Sequence, residues 1–217
     1  MEFKPSLTEE HGLALLDPTM KKILSIGIST GGSAEIRMAQ LCPGATVIAT
    51  TVDEKGLAFS RETIAKTKYN HRIATKIEDC AQPWKYAENT FDYIYARLVF
   101  HYLTRQQLSI ALKEMHRTLK KESRAFIVVR SIDEPELGDS ISGTQHCEET
   151  GFTTYTDFAG KVVSRQFFSE NSLRNILETT GFKIERIETV YEKCFQDYQR
   201  TIQNPNPNTL IEVVVSK

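Results

Sequence analysis

Gly27, Ser29, Gly31 and Gly32 make a G-x-S-x-G-G turn inside KKILSIGISTGGSAEI, between an apolar run and a helix-like run. Glycine lets the backbone approach a ligand closely, and the amides that open a following helix offer unpaired N–H groups and a positive dipole end. Such a turn suits a carboxylate or a phosphate. Asp53 closes the next β-branched run, where an acid can accept both hydroxyls of a ribose; Asp79 follows a third run, within reach of an exocyclic amine on a purine. Each acid equally suits a helix N-cap, and a bare glycine turn also serves as a tight strand-to-helix connection.

The elements that would position these residues alternate in type. PSLTEEHGLALLDP predicts a short opening helix, with Ser6 and Glu9 at capping-box spacing and Asp17-Pro18 as its stop. ILSIGI has strand length, and GSAEIRMAQLC continues as a helix until Pro43-Gly44. ATVIATTV with EKGLAFSRETIAKTKY gives a second strand-helix unit, and HRIATKI a third strand. FDYIYARLVF is nearly continuous in apolar residues, as buried parallel strands are. Thr104 and Gln107 form a capping box ahead of the stripe Leu108, Ala111, Leu112, Met115 and Leu119. RAFIVVRSI supplies a fifth strand, and the polar stretch from Asp133 to Gln166 is long for a connection and so points to function. Ser169 caps ENSLRNILETT, Gly181 closes it, and FKIERIETVY and TLIEVVVSK are the last two strands. Consecutive β-α units require right-handed crossovers, hence an α/β fold with a doubly wound, mostly parallel sheet between helices.

Composition bounds the function. The 217 residues with 40% hydrophobic content suffice for one core, so a single domain over 1–217 is expected. Lysine plus arginine total 27 against 28 acids, a formal charge of −1 that disfavours nucleic acid as a partner. Cys42, Cys80, Cys147 and Cys194 form no C-x-x-C pair, and His146-Cys147-Glu148-Glu149 are adjacent residues that do not converge on one ion, so no metal is assigned. Free thiols, acids at the N-terminus and no membrane-length apolar window lead us to expect a soluble, cytoplasmic protein. No pattern sets an oligomeric state.

From about Lys21 to the C-terminus, the ordered segments ILSIGISTGGSAEI, VIATTVDEKGL, IEDCAQPW, FDYIYARLVFHYL, LKEMHRTLKKESRAFIVV and the closing helix-strand-strand unit resemble class I S-adenosylmethionine-dependent methyltransferases. The resemblance implies a Rossmann-like αβα sandwich whose last strand, TLIEVVVSK, runs antiparallel. It also implies S-adenosylmethionine as cofactor and S-adenosylhomocysteine as product. By position, Gly27 and Gly31, with Ile28 and Ser29 between them, would line the methionine part, and Asp53, with Glu54 beside it, would hold the ribose. Asp79 with Cys80 would contact the adenine, and Ala96 and Arg97 would sit beside the cofactor. The chain departs from the family at Ser25, where an acid is usual, and at Ser29, where a glycine is usual.

Methyl transfer from a sulfonium depends on aligning donor and acceptor and excluding water. An acceptor that must lose a proton needs a base, for which His101, Asp133 and Tyr155 are candidates; each has a structural alternative, as a backbone-bonded histidine, a turn cap and a packed hairpin tyrosine. A small-molecule acceptor is expected. Two other readings stand beside it. The serine departures suit a cofactor-binding regulatory module without turnover, and Gly27-x-Ser29-x-x-Gly32 is one substitution from the dinucleotide fingerprint of an NAD(P)-dependent oxidoreductase.

Overall fold

The computed structural model describes residues 5–135, 137, 144–157, 160–195, 197–204 and 206–217. Parts of the predicted 133–166 stretch therefore lie outside the described residues. The chain runs α1 (Leu7–Leu13), β1 (Lys22–Ile26), α2 (Ser33–Leu41), β2 (Thr46–Thr51), α3 (Glu54–Ala65), β3 (Ile73–Ile77), β4 (Phe91–Arg97) and α4 (Arg105–Thr118). It continues through β5 (Leu119–Arg130), β6 (Gln145–His146), β7 (Thr153–Thr156), β8 (Val162–Arg165), α5 (Glu170–Thr180), β9 (Lys183–Glu192) and β10 (Asn208–Ser216).

Seven strands form one sheet in the order β3-β2-β1-β4-β5-β10-β9. β1, β2, β3, β4 and β5 pair in parallel, whereas β10 pairs antiparallel with both β5 and β9. The last strand is thus antiparallel as expected, but it lies between β5 and β9 and not at an edge. β6, β7 and β8 make a separate antiparallel sheet.

Alternation along the strands splits the core in two. Leu24, Ile26, Ile94 and Ala96 face Leu108, Leu112, Met115, Leu173 and Leu177 of α4 and α5. Ile23, Val47, Tyr93, Tyr95 and Phe126 face Leu13, Met38, Ala39 and Ile64 of α1, α2 and α3. Every residue of β10 is buried, so both faces of this strand are covered.

The caps behave unevenly. Thr104 and Gln107 make the expected capping box, as do Ser169 and Ser172, and Gly181 ends α5 at φ +104. The box expected from Ser6 and Glu9 does not form: Ser6 makes no side-chain cap bond, because Glu9 is drawn into a buried ion pair with Arg200 at 2.6 Å. The sheet order reverses direction around β1, with β2 on one side and β4 on the other. In such folds ligands bind in the crevice beyond the strand ends at this switch point.

Candidate functional site

A cavity of about 620 Å³ opens at that crevice, bordered by the tips of β1, β2 and β4 and the residues after β3. That volume lies within the roughly 300–1,000 Å³ usual for small-molecule sites. The turn after β1 is tied down by Gly27 and Ile28 amides, which both donate to the Thr50 carbonyl at 2.8 and 2.9 Å. Gly27 sits at φ +74, and a Cβ there would come within 2.1 Å of Val99 Cγ2, so the close approach of β1 and β4 requires glycine. On the facing wall Leu98 holds φ +57, a strained conformation of the kind that collects at ligand sites.

Of the residues expected to hold a cofactor, Gly27, Ile28, Ser29, Asp53, Asp79, Cys80 and Arg97 border this cavity. Gly31, Glu54 and Ala96 do not: Gly31 is buried in the turn that opens α2, Glu54 is the exposed first residue of α3, and Ala96 is buried in the apolar layer. Asp53 both lines the cavity and caps α3. Its Oδ1 accepts the Lys55 amide at 3.1 Å and its Oδ2 the Tyr198 hydroxyl at 2.7 Å. The Tyr198 bond, ahead of the amides of Gly56 and Lys55, holds the carboxyl below the usual aspartate range. Asp79 Oδ1 accepts the Ala81 amide at 2.9 Å. Burial, with Asp79 beside it, pushes the Cys80 thiol up to about 12, so Cys80 serves as an apolar wall and not a nucleophile.

His101, Asp133 and Tyr155 do not border this cavity. His101 is buried at 1% exposure with its ring against Tyr102, and burial, reinforced by Arg130 and Arg165, holds its imidazole well below the ordinary value. Asp133 exchanges bonds with Ser131, closing a turn. Tyr155 packs against Phe167 and accepts from Arg165. The turn and the packed hairpin tyrosine are the structural alternatives foreseen for Asp133 and Tyr155; the backbone bond foreseen for the His101 ring is not made among the described residues, and its Nδ1 is buried without a partner there.

Several cavity features were not foreseen. Cys194, Phe195 and Arg200, from the segment joining β9 to β10, reach the same cavity as Ser6 of the N-terminal segment. Arg97 donates to Thr8 Oγ1 at 2.7 Å and pairs with Glu192, which also takes the Thr8 amide and hydroxyl. Burial pushes the Cys194 thiol up to about 11. Below the glycine turn lies Glu35, fully buried on α2, with Ser25 and Ser29 bonded to its carboxylate. The capping-box spacing at Glu9 hid one buried acid, and the other, Glu35, lies in the first turn of α2.

Among the described residues, His11, Glu188 and Glu212 could supply three ligand atoms to an ion. The Arg186 guanidinium already lies 2.8 Å from Glu212 and 3.0 Å from Glu188, so a protein cation already sits against both carboxylates. Among them, no helix is long and apolar enough to cross a membrane.

Residues 23–122 match the methyltransferase domain family. No curated protein matches the chain. Among solved structures, a SAM-dependent methyltransferase from Methanosarcina mazei aligns over 100% of this chain and 99% of its own, with a TM-score of 0.73 and 16% identity. A protein from Pyrococcus horikoshii aligns over 96% and 87% with a TM-score of 0.70 at 16% identity. A SAM-dependent methyltransferase from Aquifex aeolicus aligns over 97% and 89% with a TM-score of 0.61 at 16% identity. At these identities the likeness speaks for the fold.

Proposed function

We propose that the chain, whose residues 23–122 match the methyltransferase domain family, is a class I S-adenosylmethionine-dependent methyltransferase that acts on a small-molecule acceptor at the cavity beyond β1, β2 and β4. S-adenosylmethionine is the cofactor, and neither the nicotinamide-dependent nor the regulatory reading is favoured.

The carrying observation is the convergence of the Gly27–Ser29 backbone, Asp53 and Asp79 on one cavity of about 620 Å³. The fit is physical. The Gly27 cradle has no room for a side chain, and Asp53 keeps acceptor capacity beyond Lys55 and Tyr198, because an ionised carboxylate offers about four lone-pair sites. We assign the methionine end to Gly27, Ile28 and Ser29, the ribose to Asp53, and the adenine to Asp79 and Cys80. When bound, the cofactor supplies an electrophilic methyl group whose departure leaves a neutral thioether.

The protein's contribution is alignment and exclusion of water. Arg97 and Arg200 border the cavity already matched to Glu192 and Glu9, so these arginines add little net charge to its wall. Ser6, Cys194, Phe195 and Arg200 close it from segments outside the parallel strands, which supports a small acceptor over a polymer. The formal charge of −1 points the same way. A transfer assay with tritiated methyl donor across small acids, amines, thiols and phenols tests the reading. Transfer to one of these classes supports it, and transfer only to an RNA or protein acceptor overturns the small-molecule assignment.

A further inference from the structure

We propose that Glu35 is the protein's counter-charge for the cationic methyl donor, acting through Ser25 and Ser29 as a positioning residue. The proposal rests on the functional reading above and adds a residue that neither the family match nor the cavity wall assigns.

Five glutamates are buried among the described residues: Glu9, Glu35, Glu134, Glu192 and Glu212. Four of them have a cationic partner within 4 Å, namely Arg200 for Glu9, Arg130 for Glu134, Arg97 for Glu192, and Arg186 with His11 for Glu212. Glu35, at 0% exposure, has no such partner among the described residues. Its Oε1 accepts the Ser25 hydroxyl at 2.6 Å and the Ser29 amide at 3.1 Å, and its Oε2 accepts the Ser29 hydroxyl. The Ser29 oxygen in turn accepts the Ala34 amide at 2.9 Å, which fixes its proton toward Glu35.

A buried carboxylate without a cation is costly, and three donors offset only part of that cost. The cation that completes the site is therefore sought in the neighbouring space. Ser29 is both a ligand of Glu35 and a wall of the cavity, so one hydroxyl separates the carboxylate from whatever fills that end. The methyl donor carries a sulfonium and an ammonium, whereas the demethylated product keeps only the ammonium. A counter-charge at this place favours the donor over the product, which suits turnover because the spent thioether is held less tightly than the fresh sulfonium.

Glu35→Gln removes the charge and keeps the shape. The amide oxygen still accepts from Ser25 and from the Ser29 amide, and its NH₂ can donate to the Ser29 hydroxyl, which has two lone pairs. Titration calorimetry of wild type and Glu35→Gln with S-adenosylmethionine and with S-adenosylhomocysteine reads the effect. The expected result is that the donor loses affinity about tenfold more than the product, the order of a unit charge acting over roughly 12 Å through an effective dielectric near 20. Asp53→Asn, facing the ribose, should weaken both ligands alike. An unchanged donor-to-product ratio in folded Glu35→Gln overturns the counter-charge, even though both ligands still bind. Wild type that binds neither ligand overturns the functional reading itself. Should Glu35→Gln not fold, wild type settles the point with an analogue bearing a protonated amine in place of the sulfonium. About tenfold tighter binding than the thioether supports the proposal, and equal binding overturns it.

Discussion

The Tyr198 hydroxyl lies 2.7 Å from Asp53 Oδ2, joining residues 145 apart in sequence, while the Tyr198 ring stacks on Phe59 with centroids 5.8 Å apart. The segment between β9 and β10 thereby reaches across to α3 and takes hold of the acid assigned to the ribose. The phenol and the ribose hydroxyls draw on the same carboxylate. We expect Tyr198→Phe to bind S-adenosylhomocysteine at least as tightly as wild type, since it frees an acceptor site on Asp53. Asp53→Ala should bind about ten- to a hundredfold more weakly, the span of losing hydrogen bonds to a charged group at roughly 1.5–3 kcal/mol. Calorimetric titration checks both. A large loss of affinity in Tyr198→Phe would mean that the phenol supports the ligand and does not compete with it.

The same segment is anchored by Arg200, whose guanidinium is 2.6 Å from Glu9, with side-chain exposures of 2% and 0%. Glu9 also accepts the Ser33 hydroxyl at 3.2 Å, linking α1, α2 and the segment after β9. Removing Arg200 leaves the buried Glu9 only the more distant Arg37, at 3.8 Å, which costs about 3–5 kcal/mol. Arg200→Met is expected to lower the unfolding free energy by that order in urea titration. Replacing both residues with apolar ones should recover much of it, because no isolated charge then remains. A single substitution within about 0.5 kcal/mol of wild type would contradict the burial of this pair.

These two contacts mark the boundary of what the sequence made legible. The strands and α4 could be read because burial writes a local period into the chain: FDYIYAR is apolar on both faces, and Leu108, Ala111, Leu112 and Met115 recur on one helical stripe. Asp53 and Asp79 were legible as strand-tip acids for the same reason. Glu9–Arg200, Thr8–Glu192 and Tyr198–Asp53 are separated by 191, 184 and 145 residues, and no local spacing encodes such partners. Glu9 misled because an acid three residues after Ser6 has the right spacing for a cap, yet a buried arginine competes more strongly for it than an exposed amide does. His101, Asp133 and Tyr155 have chemistry-bearing side chains, but the structure commits them to contacts with Tyr102, Ser131 and Arg165, and none of the three borders the cavity.

His101 makes the stability of the protein depend on pH. Burial, then Arg130 and Arg165, keep its imidazole neutral well below the ordinary titration range. In the unfolded chain the group titrates near 6.5, so on acidification the unfolded state takes up the proton first. Folding stability therefore falls as pH drops below about 6.5, by roughly 1.4 kcal/mol per pH unit until the folded group also titrates. His101→Gln removes this dependence. Urea unfolding of both proteins at pH 7.5 and 5.5 should show wild type losing about 1.4 kcal/mol more than the variant. Equal losses would show that His101 takes up a proton as readily in the folded state as in the unfolded one.

Gly27 and Val99 offer a test of the cradle itself. A Cβ at residue 27 would meet Val99 Cγ2 at 2.1 Å, and φ +74 adds strain for any L side chain. Gly27→Ala carries both penalties, and Val99→Ala removes only the clash. In a double-mutant cycle read by S-adenosylhomocysteine affinity, we expect Gly27→Ala to bind more than about tenfold more weakly, and Val99→Ala in that background to restore part of the loss. A coupling of about 0.5–3 kcal/mol is the range for residues in direct contact. The deficit left in the double variant then reports the backbone strain, expected near 1–2 kcal/mol. If the two substitutions were additive, the turn would have moved away from β4 on substitution, and its close approach to that strand would not be what shapes the ligand-facing backbone.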